Sequence, residues 1–197
     1  MEDERKSVNF PIVDIFESIQ GEGYWVGTPS LFIRLAGCNL ECTFCDTKFD
    51  VFEEWSLERI LERAKKTLTT HVVITGGEPA IQPNLHLLVR ALRARGKYVA
   101  IETNGTQEGW FEANWLTVSP KSMVTREDVA SELKVLWISP QFVEKWSKRK
   151  SPRVQHRYVQ PVEIGGKFME VPAILEWLRK NPDWRLSVQI HKVLGIK

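Results

Sequence analysis

The stretch Ser30-Leu-Phe-Ile-Arg-Leu-Ala-Gly-Cys-Asn-Leu-Glu-Cys-Thr-Phe-Cys-Asp-Thr47 holds all three cysteines of the 197-residue chain. Residues 30–36 (SLFIRLA) are a short apolar run closed by Gly37, the pattern of a buried strand. Cys38, Cys42 and Cys45 then follow as Cys-x-x-x-Cys-x-x-Cys, three soft ligands in one loop. Soft thiolates select zinc or iron–sulfur clusters. Structural zinc wants four protein ligands. No fourth cysteine exists, and His71, His86, His156 and His191 are all distant in sequence. A zinc site would therefore need the fold to bring one of them close. Three incidental buried cysteines are the blander alternative, but free cysteines scatter more often than they cluster. A four-iron cluster on three cysteines leaves one iron open to a substrate.

The same alternation continues outward from this loop. Further strands are expected at 71–75 (HVVIT), 97–103 (KYVAIET), 115–118, 132–137, 156–160 and 185–190. Between them Leu57, Ile60, Leu61, Ala64 and Leu68 fall on one helical face behind Ser56 as N-cap. Leu88, Ala91 and Leu92 mark a second helix that ends near Gly96, and Ile174, Trp177 and Leu178 a third that stops near Pro182. Strand–helix alternation without an internal break predicts one α/β domain over 1–197 with a mostly parallel sheet. A complete eight-fold barrel needs about 250 residues, so a partial, incomplete β/α barrel is expected, with its chemistry at the carboxyl ends of the strands.

Composition narrows the function classes. Hydrophobic residues make up 43% and charged residues 26%, ordinary for a globular protein, and the formal net charge of +2 gives no global field for nucleic acid or membrane. The first ten residues, MEDERKSVNF, lack the apolar run of a secretory signal, and no run is long enough to span a bilayer. A reducing, cytoplasmic setting is expected, where thiols persist. The basic stretch 145–153 reads as a solvated face, with a docking surface for an acidic electron donor as the second reading.

A second motif, Ile74-Thr-Gly-Gly-Glu-Pro79, closes the strand HVVIT. Its glycines admit close approach of another molecule, and Glu78 can accept hydrogen bonds from an ammonium group; alone it could be a plain turn. The spacing Gly21-x-Gly23-x-x-x-Gly27 misses the dinucleotide fingerprint by one residue. Asn104-Gly-Thr106 is formally a glycosylation sequon without meaning in a cytoplasmic chain.

The cysteine loop followed by Thr-Gly-Gly-Glu-Pro resembles the radical S-adenosylmethionine (SAM) superfamily. Ile15-Phe-x-x-Ile-Gln-Gly-Glu-Gly23, then Phe-Ile-Arg-Leu-Ala-Gly-Cys38, Cys45-Asp-Thr47 and the terminal Gln189-Ile-His-Lys-Val-Leu-Gly195 resemble one family within it, the 7-carboxy-7-deazaguanine synthases. The resemblance implies a radical SAM partial barrel and a 4Fe–4S cluster on Cys38, Cys42 and Cys45. SAM would be cleaved to methionine and a 5′-deoxyadenosyl radical that takes hydrogen from the substrate. The substrate implied is 6-carboxy-5,6,7,8-tetrahydropterin and the product 7-carboxy-7-deazaguanine, made with loss of ammonia on the route to queuosine.

The resemblance also distributes roles. SAM would meet Phe44, Cys45, Asp46, Gly77 and Glu78, then Thr103 and Asn104, Ser119, Pro120 and Lys121, and finally Gln160. The substrate would meet Ile19, Gln20, Gly21, Glu22, Arg34, Thr75, His191 and Lys197. Arg34 can fork onto a carboxylate and Glu22 can accept from the guanidine-like pterin edge. Mg2+ would take the hydroxyl of Thr47; the residue alone reads as an ordinary loop threonine. Phe44 alone reads equally as a local plug. An electron donor such as flavodoxin and a homodimer complete the expectation. Two competing readings share the cysteine loop: an activase for a glycyl-radical partner, and a non-catalytic iron–sulfur or metal-binding module.

Overall fold

The computed structural model describes residues 8–107, 112–122, 125–149 and 151–197. Residues 1–7 of the polar N-terminal segment, and Lys150 of the basic stretch, lie outside the described residues. In chain order the elements begin with β1 (Asn9–Ile19), β2 (Pro29–Leu35), β3 (Glu53–Ser56), α1 (Leu57–Lys65), β4 (His71–Gly76), α2 (Leu85–Arg93), β5 (Tyr98–Thr103) and β6 (Trp115–Val118). They continue with β7 (Glu132–Leu136), α3 (Pro140–Ser147), β8 (His156–Gln160), β9 (Glu163–Ile164), β10 (Lys167–Phe168), α4 (Val171–Lys180), β11 (Arg185–Leu186) and α5 (Ile190–Leu194).

One sheet runs in the linear order β11-β8-β7-β6-β5-β4-β2-β1-β3. From β11 to β2 every neighbouring pair is parallel; β1 is antiparallel to β2, and β3 to β1. The order does not close on itself, so the α/β fold is an open, mostly parallel partial barrel. No helix among the described residues is long and apolar enough to cross a membrane.

Period-two alternation gives the sheet two unlike faces. Leu31, Ile33 and Leu35, Val72 and Ile74, and Val99 and Ile101 are fully buried in the main core with Ile60 and Leu61 of α1 and Leu85 and Leu88 of α2. The other face encloses the interior. Near the strands' amino ends it is filled by rings: Tyr24 stacks on Trp115 at 5.0 Å, Trp25 lies 5.2 Å from His71, and His71 stacks on Tyr98 at 5.4 Å. Nearer the carboxyl ends the same face carries Arg34, Thr75, Glu102 and Lys134, and the interior opens into cavities there.

The expected strands at 115–118 and 156–160 match the fold, and Ser56 caps α1 by accepting from Arg59 N–H at 3.2 Å. Two expectations need correction. The strand expected at 185–190 shrinks to Arg185–Leu186, because Ser187 and Gln189 turn inward to polar partners and Ile190 opens α5. Leu68 does not share the α1 face: the helix ends at Lys65, and Leu68 is wholly exposed beyond it. The longest strand, β1, and the short β3 were not foreseen.

Leu88 has no exposure, so Leu88→Ala leaves a cavity in the helix–sheet layer. A loss of about 2–5 kcal/mol in unfolding free energy is expected, read as a lower urea midpoint at unchanged slope.

Candidate active site

Two adjoining cavities open at the carboxyl ends of the strands, of about 510 Å³ and 570 Å³. Cys38, Cys42 and Cys45 line the first. Arg34, Gln20 and His191 line the second. Glu22, Asp46, Thr47, Thr75, Glu102, Gln189 and Lys192 border both, so a wall of polar side chains is common to the two chambers.

Backbone contact between the two motif loops positions the cysteines. Pairing β2 with β4 in parallel sets Leu35 opposite Gly76. Gly77 N–H then donates to Leu35 O at 3.2 Å, and Glu78 N–H to Gly37 O at 2.9 Å. A Cβ on Gly77 would lie 2.0 Å from the Gly37 oxygen and 2.8 Å from Cys38 Cβ. Only glycine permits this approach. Cys45 is exposed, while Cys38 and Cys42 are half-buried. Burial pushes both of those thiols up, and the Lys121 charge partly offsets this at Cys42. No histidine lines this cavity among the described residues. Nor do the described residues contain a group of three or more His, Cys, Asp or Glu side chains able to hold a single metal ion. Three thiols around one open chamber, without a converging fourth ligand, fit a four-iron cluster with one open iron.

Most residues expected to meet SAM border this chamber: Phe44, Cys45, Asp46, Gly77, Thr103, Asn104, Ser119, Lys121 and Gln160. Burial pulls Lys121 below its usual value; its Nζ donates to Ser119 Oγ at 2.8 Å. Two expected residues do not border the chamber. Pro120 is buried away from it. Glu78 has no exposure and spends its carboxylate inside the protein, accepting from Thr103 Oγ1 (2.6 Å), Asn104 N–H (2.7 Å) and Ala80 N–H (2.9 Å). Burial pushes its carboxyl up, against those three hydrogen bonds. In this arrangement Glu78 ties the ends of β4 and β5 together.

Ile19, Gln20, Gly21, Glu22, Arg34, Thr75, His191 and Lys197 all border the second cavity. Arg34 lies 5.8 Å from the Phe16 ring centroid, and its guanidinium has no hydrogen-bond or ion-pair partner among the described residues. Burial lowers it, against the attraction of Asp46 and Asp14. A Cβ on Gly21 would meet His191 Nδ1 at 2.0 Å, so this glycine lets the α5 histidine close the wall. Burial lowers His191, with Glu22 opposing. Lys197 pairs with Asp14. Half-buried Thr47 donates to Asp46 Oδ1 at 3.3 Å, and Asp46 also pairs with Lys192.

Three charged residues on or behind this wall carry no assigned role in the sequence analysis: Glu102, Glu132 and Lys134. Lys134 Nζ pairs with Glu22 and Glu102. Burial pushes Glu22 up, but the Lys134 charge and hydrogen bond, with Gln189, hold its carboxyl at about 2. Burial and the Glu22 charge push Glu102 up, against Lys134. Burial likewise carries Glu132, which accepts from Tyr24 N–H, to about 7. Lys134 is raised despite its burial by the surrounding carboxylates. The available signal was the strand Glu132-Leu-Lys-Val-Leu136, where opposite charges at i and i+2 share one face of a buried strand.

Because Gly77 carries the loop contact, Gly77→Ala should reduce iron bound after anaerobic reconstitution although it alters no ligand. Iron and sulfide analysis at unchanged circular dichroism is the check.

Comparison with known proteins agrees with this geometry. Residues 32–123 match the radical SAM superfamily. A 7-carboxy-7-deazaguanine synthase from Haemophilus influenzae is 37% identical, covering 96% of this chain and 95% of the relative. One from Neisseria meningitidis is 35% identical over 95% and 94%, and one from Bacteroides thetaiotaomicron 37% over 94% and 98%. The crystal structure of QueE from Escherichia coli superposes with a TM-score of 0.80 at 29% identity, covering 94% of this chain and 96% of that one. Full-length similarity at this level, on a fold whose cysteine loop and glycine motif meet at one cavity, shows that the chain belongs to the 7-carboxy-7-deazaguanine synthase family of radical SAM enzymes.

Proposed function

We propose that this chain converts 6-carboxy-5,6,7,8-tetrahydropterin to 7-carboxy-7-deazaguanine with loss of ammonia. The observation that carries the reading is the shared wall: a thiol-lined chamber and an arginine-bearing chamber adjoin across Glu22, Asp46, Thr75 and Glu102. A radical formed in one would have its target in the other. The cluster on Cys38, Cys42 and Cys45, with SAM, supplies the one-electron, hydrogen-abstracting chemistry when bound. The chain's own residues orient the partners. Arg34, with its free guanidinium, takes the pterin carboxylate. Glu22 accepts from the guanidine-like edge, and Gln20 and His191 border the same ring. Phe44, Asn104, Ser119 and Lys121 hold SAM beside the cysteines.

Mg2+ would take the hydroxyl of Thr47, a residue that borders both cavities and donates to the Asp46 carboxylate. The nearby Glu22 and Asp46 carboxylates are held by Lys134 and Lys192, which suits an ion that keeps waters and substrate oxygens in its shell. The reaction needs an external electron donor, and a flavodoxin-like partner is part of this reading. Its docking side is the exposed cysteine-loop end rather than the basic stretch 145–153. That stretch leads into the amino end of β8, whereas the cysteine loop leaves the carboxyl end of parallel β2. Within it Lys148 pairs with Glu144, and Arg149 pairs with Glu127 and stacks on Trp146. Three unpaired thiols suit a cytoplasmic setting. A homodimer is part of the same reading.

The deciding experiment is an anaerobic assay of reconstituted protein with SAM, reductant and carboxytetrahydropterin; absence of deazaguanine product would overturn the reading. SAM cleavage without pterin turnover would favour an activase, and a cluster that ignores SAM a non-catalytic module. Arg34→Ala should weaken pterin binding roughly ten-fold to a hundred-fold by calorimetry, with iron content and SAM binding unchanged. Thr47→Ala should keep the cluster spectrum and lose most of the Mg2+ dependence of product formation, while Thr47→Ser retains more of it.

A further inference from the structure

Lys134 lies in the middle of β7 with its side chain 4% exposed. Its Nζ donates to Glu22 Oε2 and, at 2.9 Å, to Glu102 Oε2. Glu22 comes from the loop after β1 and Glu102 from the end of β5, so one ammonium joins three elements. The outer oxygens are also taken: Gln189 Nε2 donates to Glu22 Oε1 at 2.7 Å, and Gln20 Nε2 to Glu102 Oε1 at 3.2 Å. Both carboxylates border both cavities, while Lys134 borders only the thiol-lined one.

Two carboxylates sharing one site repel, and without a cation one of them takes a proton. The other charged groups around them have their own engagements. Asp46 of the cysteine loop and Lys192 of α5 pair with each other. Lys121, after β6, donates to Ser119. Glu132, its carboxyl raised by burial, adds a third acidic group on the Lys134 side, and His191 of α5 faces Glu22. Among the described residues, Lys134 is the cation in direct contact with both carboxylates. An ionised carboxylate only accepts hydrogen bonds, whereas a protonated one also donates.

We propose that Lys134 is a positioning residue that holds Glu22 and Glu102 together as an acceptor-only wall, and that this wall selects the N–H-rich edge of the substrate. The selection rests on the pterin reading above; the charge-holding does not. Both are tested in a Glu132→Gln background, which removes the third carboxyl facing Lys134 and leaves an oxygen for Tyr24 N–H. Lys134→Met, similar in length but neutral, should then show a new protonated-carboxyl band in the infrared spectrum at neutral pH without substrate. It should also raise the carboxytetrahydropterin dissociation constant at least ten-fold by calorimetry. No new band overturns the charge-holding role. A band with unchanged pterin affinity overturns the selection. A band where the parent protein binds no pterin supports charge-holding and removes the selection together with the pterin reading. If Lys134→Met does not fold, the neutral combination Lys134→Met/Glu22→Gln/Glu102→Gln decides: restored cooperative unfolding supports charge pairing, and continued failure to fold overturns it.

Discussion

The site depends on a backbone contact in which no side chain takes part. Parallel pairing of β2 with β4 runs in register up to Leu35 and Gly76, and the two chains then leave the sheet side by side. From there Gly76 and Gly77 touch the carbonyl oxygens of Leu35 and Gly37 so closely that a methyl group on either would overlap backbone. A parallel sheet buried on both faces fixes its register through its core residues. The fully buried Leu31, Ile33, Val72 and Ile74 therefore also set where the cysteines stand. Glu78 extends the same joint to β5 through Thr103 and Asn104. The start of the cysteine loop, the glycine motif and the Asn104 turn are thus joined in one corner.

Beside this corner the interior is polar where most folds of this size are apolar. A buried ion pair is weak evidence for stability, because desolvating both partners can outweigh their attraction. The arrangement here makes functional sense instead. Glu22, Glu102 and Lys134 are each satisfied by at least two partners, so the wall keeps its shape before a ligand arrives. Preorganised polar groups in a water-poor cavity act more strongly than the same groups in solvent. The rings of Tyr24, Trp25, Tyr98 and Trp115 close the opposite end of the interior.

The fold was legible where local pattern and burial agree. Apolar runs such as Val72–Ile74 and the helical face of Leu57, Ile60, Leu61 and Ala64 announce themselves without tertiary knowledge. β1 was hidden because its burial is mixed along its length, with Asp14, Glu17 and Ser18 interrupting any clean alternation. The cysteines and Arg34 could be singled out from sequence because they sit in or beside one motif, and they border the two cavities. Lys134 could not be, since its meaning comes from Glu22 and Glu102, 112 and 32 residues away. Glu78 shows the reverse case: the motif names the residue, but only packing reveals that its carboxylate faces inward.

The wall of the arginine-bearing cavity joins the two ends of the described chain. Ile190 N–H donates to the Gly21 carbonyl at 3.0 Å, and Gln189 reaches both Glu22 and Asp46. During synthesis, a ribosome that has released everything up to β8 has delivered most of the sheet and the cysteine loop, but not the side chains that close this chamber. The residues that close this chamber are therefore synthesised after those that carry the thiols.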